Sequence, residues 1–572
     1  MTVRLVLAAA LACSALMPAA APAAPASPNA VAIPEAQLPL DPRFSARRIE
    51  ADVAFLADDA MRGRETGSPE LEIAARFVAQ RFAALGLVPG GTDGGWLQRV
   101  PFQRVVPSSA PAGATLSGPG GPREWVNGKD VLITTSRLEP QVDLTAPVVF
   151  VGYGLSDRRL GIDDYAGLDV KGKIVAVLGG FPAGMASEEG AYAADEKAKV
   201  ASDRGAIGLI TLPTEASDRV APFARRAEYL SVPRFATTDA NGRPEVEAPG
   251  LRASATLNAA SAAALFAGAK SSYAAVRTAA RGKAPVAGFP LAATLRIHGG
   301  TEASAITSPN IAAVIPGSDP ALRDQYVILS GHLDHIGISP AKAADTAATD
   351  RINNGAMDNA AGVATLLEVA RVMSEDPVKP RRSVLFVVTT GEEKGLLGAD
   401  YFARHPTVPA KAIVGNVDLD MPLLTYPFTD VVAYGADHSS LGAITAAALA
   451  PMKVSLSPDP TPEESIFVRS DHYMFVKQGV PAVFLSTGRA NGGNPAWEEF
   501  FAKRYHRPAD DMSQAFDWRA GARFAEANWR ITRAMADGAE PPRWLSGDPF
   551  GDIFAPSAPR AANAAGPGAK QP

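Results

Sequence analysis

From Pro309 onward the chain alternates short apolar runs with amphipathic stretches. NIAAVIPG, YVILSG, SVLFVVTT, AIVGNVDL and PAVFLST have the length and make-up of buried strands. AAGVATLLEVARVM and the segment after Glu393 carry helical spacing between them. This alternation predicts an α/β fold whose sheet is covered by helices on both faces. Nearer the N-terminus, the spacing of Leu71, Ala74, Ala75, Val78, Phe82 and Leu85 predicts a helix over 69–85. Ser68 would cap it, Pro69 suits its first turn, Glu70 and Glu72 complement its dipole, and Gly86 ends it.

Residues 100–145 are strand-like and rich in turns. A different segment follows, in which APVVFVGYGL, KGKIVAVLGG and IGLITLP read as strands and YAADEKAKVASDRGA as a helix. It reads as an inserted β-rich domain. It holds no histidine up to about residue 290, and all 7 histidines of the chain (298, 332, 335, 405, 438, 472 and 506) lie beyond it. Imidazole chemistry therefore belongs to the later segment. The expected division is 1–26 leader, 45–140 first part of the main domain, 141–292 insert, 293–543 main domain and 544–572 loose tail rich in Ala, Pro and Gly.

Composition narrows the classes. At 572 residues two or more domains are expected. A formal charge of −5 with no Lys/Arg run argues against nucleic acid as a partner. Arg4, the apolar stretch 5–16 and the Ala/Pro tract to Ala26 form an expected secretion signal, and no later stretch reaches membrane-span length without charge. The expected location is periplasmic or extracellular. Cys13, the single cysteine, lies in that leader, either as discarded apolar filler or as a lipid-attachment residue. Without it the chain has no disulfide, and its stability comes from packing and metal.

Candidate chemistry follows the apolar runs. His332, Asp358, Glu393, Asp420 and His506 each stand just past one, with Glu392 beside Glu393. Ligands in open α/β sheets gather beyond the carboxyl ends of the strands. Imidazoles and carboxylates with a spare acid are what a two-metal hydrolase needs. Singly, each has an ordinary explanation: Asp358 as a helix cap, Glu392 and Glu393 as first-turn acids, His506 as a loop residue. Together, in a histidine-poor chain, they point to one pocket. Asp334, two residues past His332, could fix that histidine's tautomer. Asp418 shares a face with Asp420, and Asp471, His472 and Tyr473 form a further polar trio.

GHLDHIG, AMDNAAGVATLLEVAR, TTGEEKGLLGADYF, LDM, SDHYMF and YHRPADD resemble the co-catalytic zinc aminopeptidases, a family with secreted bacterial leucyl aminopeptidases among its members. Glutamate carboxypeptidase, glutaminyl cyclase and the transferrin receptor are relatives. VFVGYGL, DYAGLDVKGKIVAVL and KVASDRGAIGLI resemble the protease-associated domain inserted in many members. The resemblance implies a mixed, mostly parallel sheet sandwiched by helices and two zinc ions. It implies that His332 and Asp420 hold one ion, Glu393 and His506 the other, and that Asp358 bridges them. Glu392 would be the general base and Asp334 would orient His332. A cis peptide is expected after Asp358. His472 falls where some members place an oxyanion-steadying tyrosine, with Tyr473 as its rival. Peptides are the implied substrates, cut from their N-termini. A carboxypeptidase, a cyclase or a non-catalytic binding relative are the alternatives.

Overall fold

A computed structural model describes residues 33–341, 345–346 and 349–562. The expected leader, Cys13 and the end of the tail lie outside the described residues.

Four strands run parallel at the centre of the main sheet, in the order Ser383–Thr389, Tyr326–His332, Ile413–Leu419, Ala482–Thr487. Phe289–Ile315 pairs antiparallel outside the first of these, and Asp430–Tyr434 antiparallel outside the last. The sheet is thus mixed and mostly parallel at its core. Strand residues point alternately to opposite faces. Val327 and Leu329 join one buried cluster with Val363, Leu366 and Val369 of the helix Gly362–Glu375 and with Phe524 and Ile531 of the helix Trp518–Asp537. Ile328, between them, joins a second cluster with Ala399 and Phe402 of the helix Leu397–Arg404. Both faces are apolar because both carry helices, which is why these strands read as continuous apolar runs.

The early helix spans Pro69–Ala84. The Ser68 side chain accepts from the Leu71 N–H, and Leu71, Ala74, Ala75, Val78 and Phe82 are buried. Among the described residues no helix is long and apolar enough to cross a membrane.

A second group of strands carries its own core, with Leu144, Phe150, Ile174, Ile210 and Leu257 packed against Leu265 and Phe266. It begins earlier than the expected boundary at 141. Gly113–Ser117 and Val131–Thr135 already pair within it, and Ala114, Trp125 and Ile133 fill its core. Turn-rich sequence broke these strands into pieces too short to assign by pattern. The 27-residue strand Phe289–Ile315 belongs to both groups. Its first part pairs with Gly113–Ser117 and Gln141–Phe150, its later part with Leu97–Pro107 and Ser383–Thr389.

The expectation of a loose tail from residue 544 is corrected for the described part. Trp544 and Phe550 are buried, Trp544 Nε1 donates to the Gly479 carbonyl at 2.9 Å, and Pro549–Phe554 is helical. Two aromatic side chains outweigh the Ala/Pro-rich composition around them.

Candidate metal centre

The parallel strands end on one side, and the candidate acids and imidazoles sit at those ends. His332 is the last residue of its strand, Glu392 and Glu393 follow Thr389, and Asp420 follows Leu419. Asp358 lies in an irregular turn, Ala356–Ala361, that opens the helix Gly362–Glu375. The Asp358–Asn359 peptide is cis, as expected from the resemblance.

Two donor groups meet at Asp358. His332 Nε2 lies 3.1 Å from Asp420 Oδ1 and 3.3 Å from Asp358 Oδ1. His506 Nε2 lies 3.3 Å from Asp358 Oδ2 and 3.3 Å from Glu393 Oε2. Each carboxylate oxygen of Asp358 thus faces a different histidine. Donors about 2.0–2.1 Å from a tetrahedral ion lie about 3.3–3.4 Å from one another, so the spacing in each group fits a divalent cation. Burying three carboxylates this closely without cations is costly, and the nitrogen and oxygen donor set suits zinc-like ions.

The electrostatics match that crowding. Burial works against charge on His332, but Glu392, Asp420 and Asp358 raise it well above its ordinary pKa. His506 is likewise opposed by burial and driven to about 9 by Glu393 and Asp358. Burial pushes Glu392 well above the usual carboxylate range; His332 opposes this, and Asp420, Glu393 and Asp471 add to it. Glu392 keeps a partly open face while protein crowds its other sides.

The loops holding these groups are cross-tied by polar side chains. Asp510 accepts from the backbone N–H of Met357 at 3.0 Å and of Asp358 at 3.1 Å. Asn359 Nδ2 donates to the Leu419 carbonyl at 2.8 Å, and its Oδ1 accepts from the Met421 N–H at 3.0 Å. The Asp358 turn is thereby locked to the loop carrying Asp420. Arg64 is fully buried and donates to the carbonyls of Leu333, Leu56, Asn354 and Gly355. Burial lowers it to about 10, while Asp510, Asp334, Asp358 and Glu393 hold its charge. Arg64 and Asp510 had no assigned part in the sequence reading. A buried arginine in MRGRETG has no local signal, because three of its four carbonyl partners, on Leu333, Asn354 and Gly355, lie far along the chain.

Asp334 acts differently from the expectation. His332 Nδ1 faces the Asp334 backbone carbonyl at 3.0 Å, not its carboxylate. The carboxylate accepts from Thr66 Oγ1 at 2.8 Å and from the Glu392 N–H at 3.2 Å. The side chain therefore steadies the Glu392 loop. Asp418 is fully buried and accepts from Ser330 Oγ and, at 3.0 Å, from Ser470 Oγ. Ser470 Oγ also reaches Asp420 Oδ2 at 2.7 Å. Burial, with Asp420 beside it, pushes Asp418 up to about 6.

His472 and Tyr473 are not brought to this cluster. His472 is fully buried, its ring 5.3 Å from Phe467 and 5.6 Å from Phe484, with no hydrogen-bond partner at either nitrogen. Burial pushes it down to about 3. Tyr473 packs on Phe467 and Phe550 in the same apolar cluster. Both lie on the short helix His472–Val476, whose five residues are all buried. The expected oxyanion role is corrected: the preceding Asp471, which accepts from Thr389 Oγ1, is the polar member of the trio. Its aromatic partners stand nearby in the chain, at Phe467 and Phe484, but the polar neighbours Ser470 and Asp471 masked that apolar setting.

Residues 310–532 match the profile of Peptidase family M28, a stretch that includes His332, Asp358, Glu392, Glu393, Asp420 and His506. Over that stretch the chain is similar to Peptidase family M28. The aminopeptidase from Aneurinibacillus sp. strain AM-1 superposes over 87% of this chain and 95% of its own, with a TM-score of 0.50 and 21% identity; that likeness speaks to the fold. A "Probable zinc metalloprotease" of Pyrenophora tritici-repentis is 33% identical over 111 residues, 19% of this chain and 23% of its own length. A "Probable leucine aminopeptidase 2" of Aspergillus fumigatus is 27% identical over 188 residues, 32% of this chain and 34% of its own. The chain thus spans between about a quarter and a third of the length of these curated relatives.

Proposed function

We propose that this protein is an exported two-zinc exopeptidase that removes N-terminal residues from peptides. The observation that carries the reading is Asp358, whose two carboxylate oxygens each face a separate histidine–carboxylate group. His332, Asp420 and Asp358 would hold one ion, and Glu393, His506 and Asp358 the other. When bound, the pair would lower the pKa of a shared water toward about 7 and polarise the scissile carbonyl. Glu392, raised by burial and partly open, would take the proton from that water and return it to the leaving amine. Asp334 holds the Glu392 backbone in place for that transfer. The smaller strand group over Gly113–His298 is read as the protease-associated insert, and the segment 1–26 supports export.

Hydrolysis of an aminoacyl chromogenic amide, with metal content measured before and after chelation, tests the reading. Turnover lost with zinc, restored on its return and absent for the N-blocked analogue is expected. Equal cleavage of blocked and free substrates would overturn the aminopeptidase assignment and favour a carboxypeptidase-like reaction. A chain holding zinc with no turnover would favour a binding relative.

A further inference from the structure

Where the strand Phe289–Ile315 passes from one strand group to the other, a cavity of about 230 Å³ remains, and Gly300 and Thr301 of that strand line it. The smaller group contributes Thr135, from the strand Val131–Thr135, and Thr256, from Ala253–Leu257. The main sheet contributes Arg234, first residue of the strand Arg234–Thr237, which pairs antiparallel with Leu97–Pro107. Arg226 also lines the space. None of the lining residues is an aspartate or a glutamate.

The charge there is uncompensated. Arg234 is partly buried, which lowers its pKa. Arg137, two residues beyond Thr135, is near enough for the two charges to repel: burial lowers it to about 10, and Arg234 adds to the effect. Among the described residues no carboxylate forms an ion pair with either arginine. Arg137 Nε is buried without a hydrogen-bond partner, and so is Oγ1 of Thr135, a residue only 6% exposed. Arg226 is better served, since its Nε donates to the Ala221 carbonyl at 2.9 Å and its charge reaches Asp218. Other arginines of the smaller group are paired: Arg252 with Glu139 at 2.6 Å, Arg277 with Asp218 at 3.1 Å and Arg296 with Asp143 at 2.7 Å. Burying one positive charge beside another is costly unless an anion offsets it.

We propose that this cavity binds a small organic acid, a carboxylate on an apolar body, with Arg234 as its anchor. A guanidinium meets a carboxylate through two parallel N–H donors. Thr135 Oγ1 supplies a further donor, and Arg137 adds positive potential. Leu132, Tyr229 and Leu230 also line the cavity and offer apolar surface to the rest of the ligand. With no carboxylate to meet an ammonium, the site favours an acid over the amino acid of the same skeleton. The bound acid touches both strand groups and ties them together. This site is separate from the metal centre and does not depend on the two-zinc reading.

Calorimetric titration of the full chain with 4-methylpentanoate, leucine and inorganic phosphate supplies the test. One 4-methylpentanoate per chain is expected, bound more tightly than leucine or phosphate and more weakly as salt rises. Because a carboxylate can also reach a metal ion, the titration is repeated after chelator treatment, which should leave the affinity unchanged. Arg234→Gln should weaken binding about 10–100-fold. Without ligand it should melt no earlier than wild type, because it removes an uncompensated charge. Thr135→Val should weaken binding about 2–10-fold, and it carries the test should Arg234→Gln fail to fold. Absence of binding to wild type at millimolar concentration, wild-type affinity in either variant, or binding lost with the metal would overturn the proposal. Tighter binding of leucine or phosphate would overturn the assignment to an organic acid.

Discussion

His332, at the end of a central strand, and His472, on a short helix, are both fully buried, yet they occupy opposite chemical worlds. Acids surround His332 and drive its pKa well up despite burial. Aromatic rings surround His472, and burial, with the charge of His438 adding to it, takes it to about 3. Desolvation acts on both; charge partners decide the outcome. Burial by itself therefore does not mark a functional histidine. What marks it is the cost of the acids around it, a cost that a cation removes.

The comparison breaks most completely at Asp358. Asp358→Ala should abolish both metal binding and turnover, read by metal analysis and amide hydrolysis, because it removes the one carboxylate facing both groups. Full metal content in that variant would mean the acids do not define the site. Glu392→Gln should retain metal while turnover falls about 10²–10⁴-fold, and a variant with near-normal rates would remove Glu392 from the proton path.

A third histidine sharpens the contrast, because it has acids but no cation to share. His438 Nδ1 lies 2.6 Å from Asp548 and its Nε2 2.8 Å from Glu188, with Phe467 and Phe550 against the ring. Burial opposes its charge, but the two carboxylates raise it to about 9. Its folded pKa is above the unfolded value of about 6.5. Its contribution is therefore complete below that value and lost as pH rises through about 9. At most about 3 kcal/mol is involved, and denaturant melts across pH 6–10 should show the loss in wild type but not in His438→Gln.

The smallest effect belongs to His472→Phe. The ring keeps its aromatic neighbours and two unpartnered nitrogens disappear, so kcat should stay near wild type and stability should hold or rise by about 1 kcal/mol. A kcat loss of about 10²–10³ would restore the oxyanion role.

Much of this was legible beforehand for a physical reason. Strands buried on both faces leave continuous apolar runs, and polar residues placed immediately after such runs stand out, as His332, Glu393 and Asp420 do. Asp358 and His506 needed company to be read, since each alone resembles a cap or a loop residue. Arg64 and Asp510 act on backbone groups brought near by folding, and no local pattern encodes such partners. The tail from Trp544 misled because composition outweighed two aromatic residues whose pocket lies elsewhere in the chain.

The strand Phe289–Ile315 behaves as a continuous beam set into two structures at once. Excising the smaller body by deletion would strip one end of that beam of its neighbours and leave unpaired backbone beside the larger sheet. The insert is thus a mortised part of the frame, and shortening the protein would require carpentry at the joint rather than a clean cut.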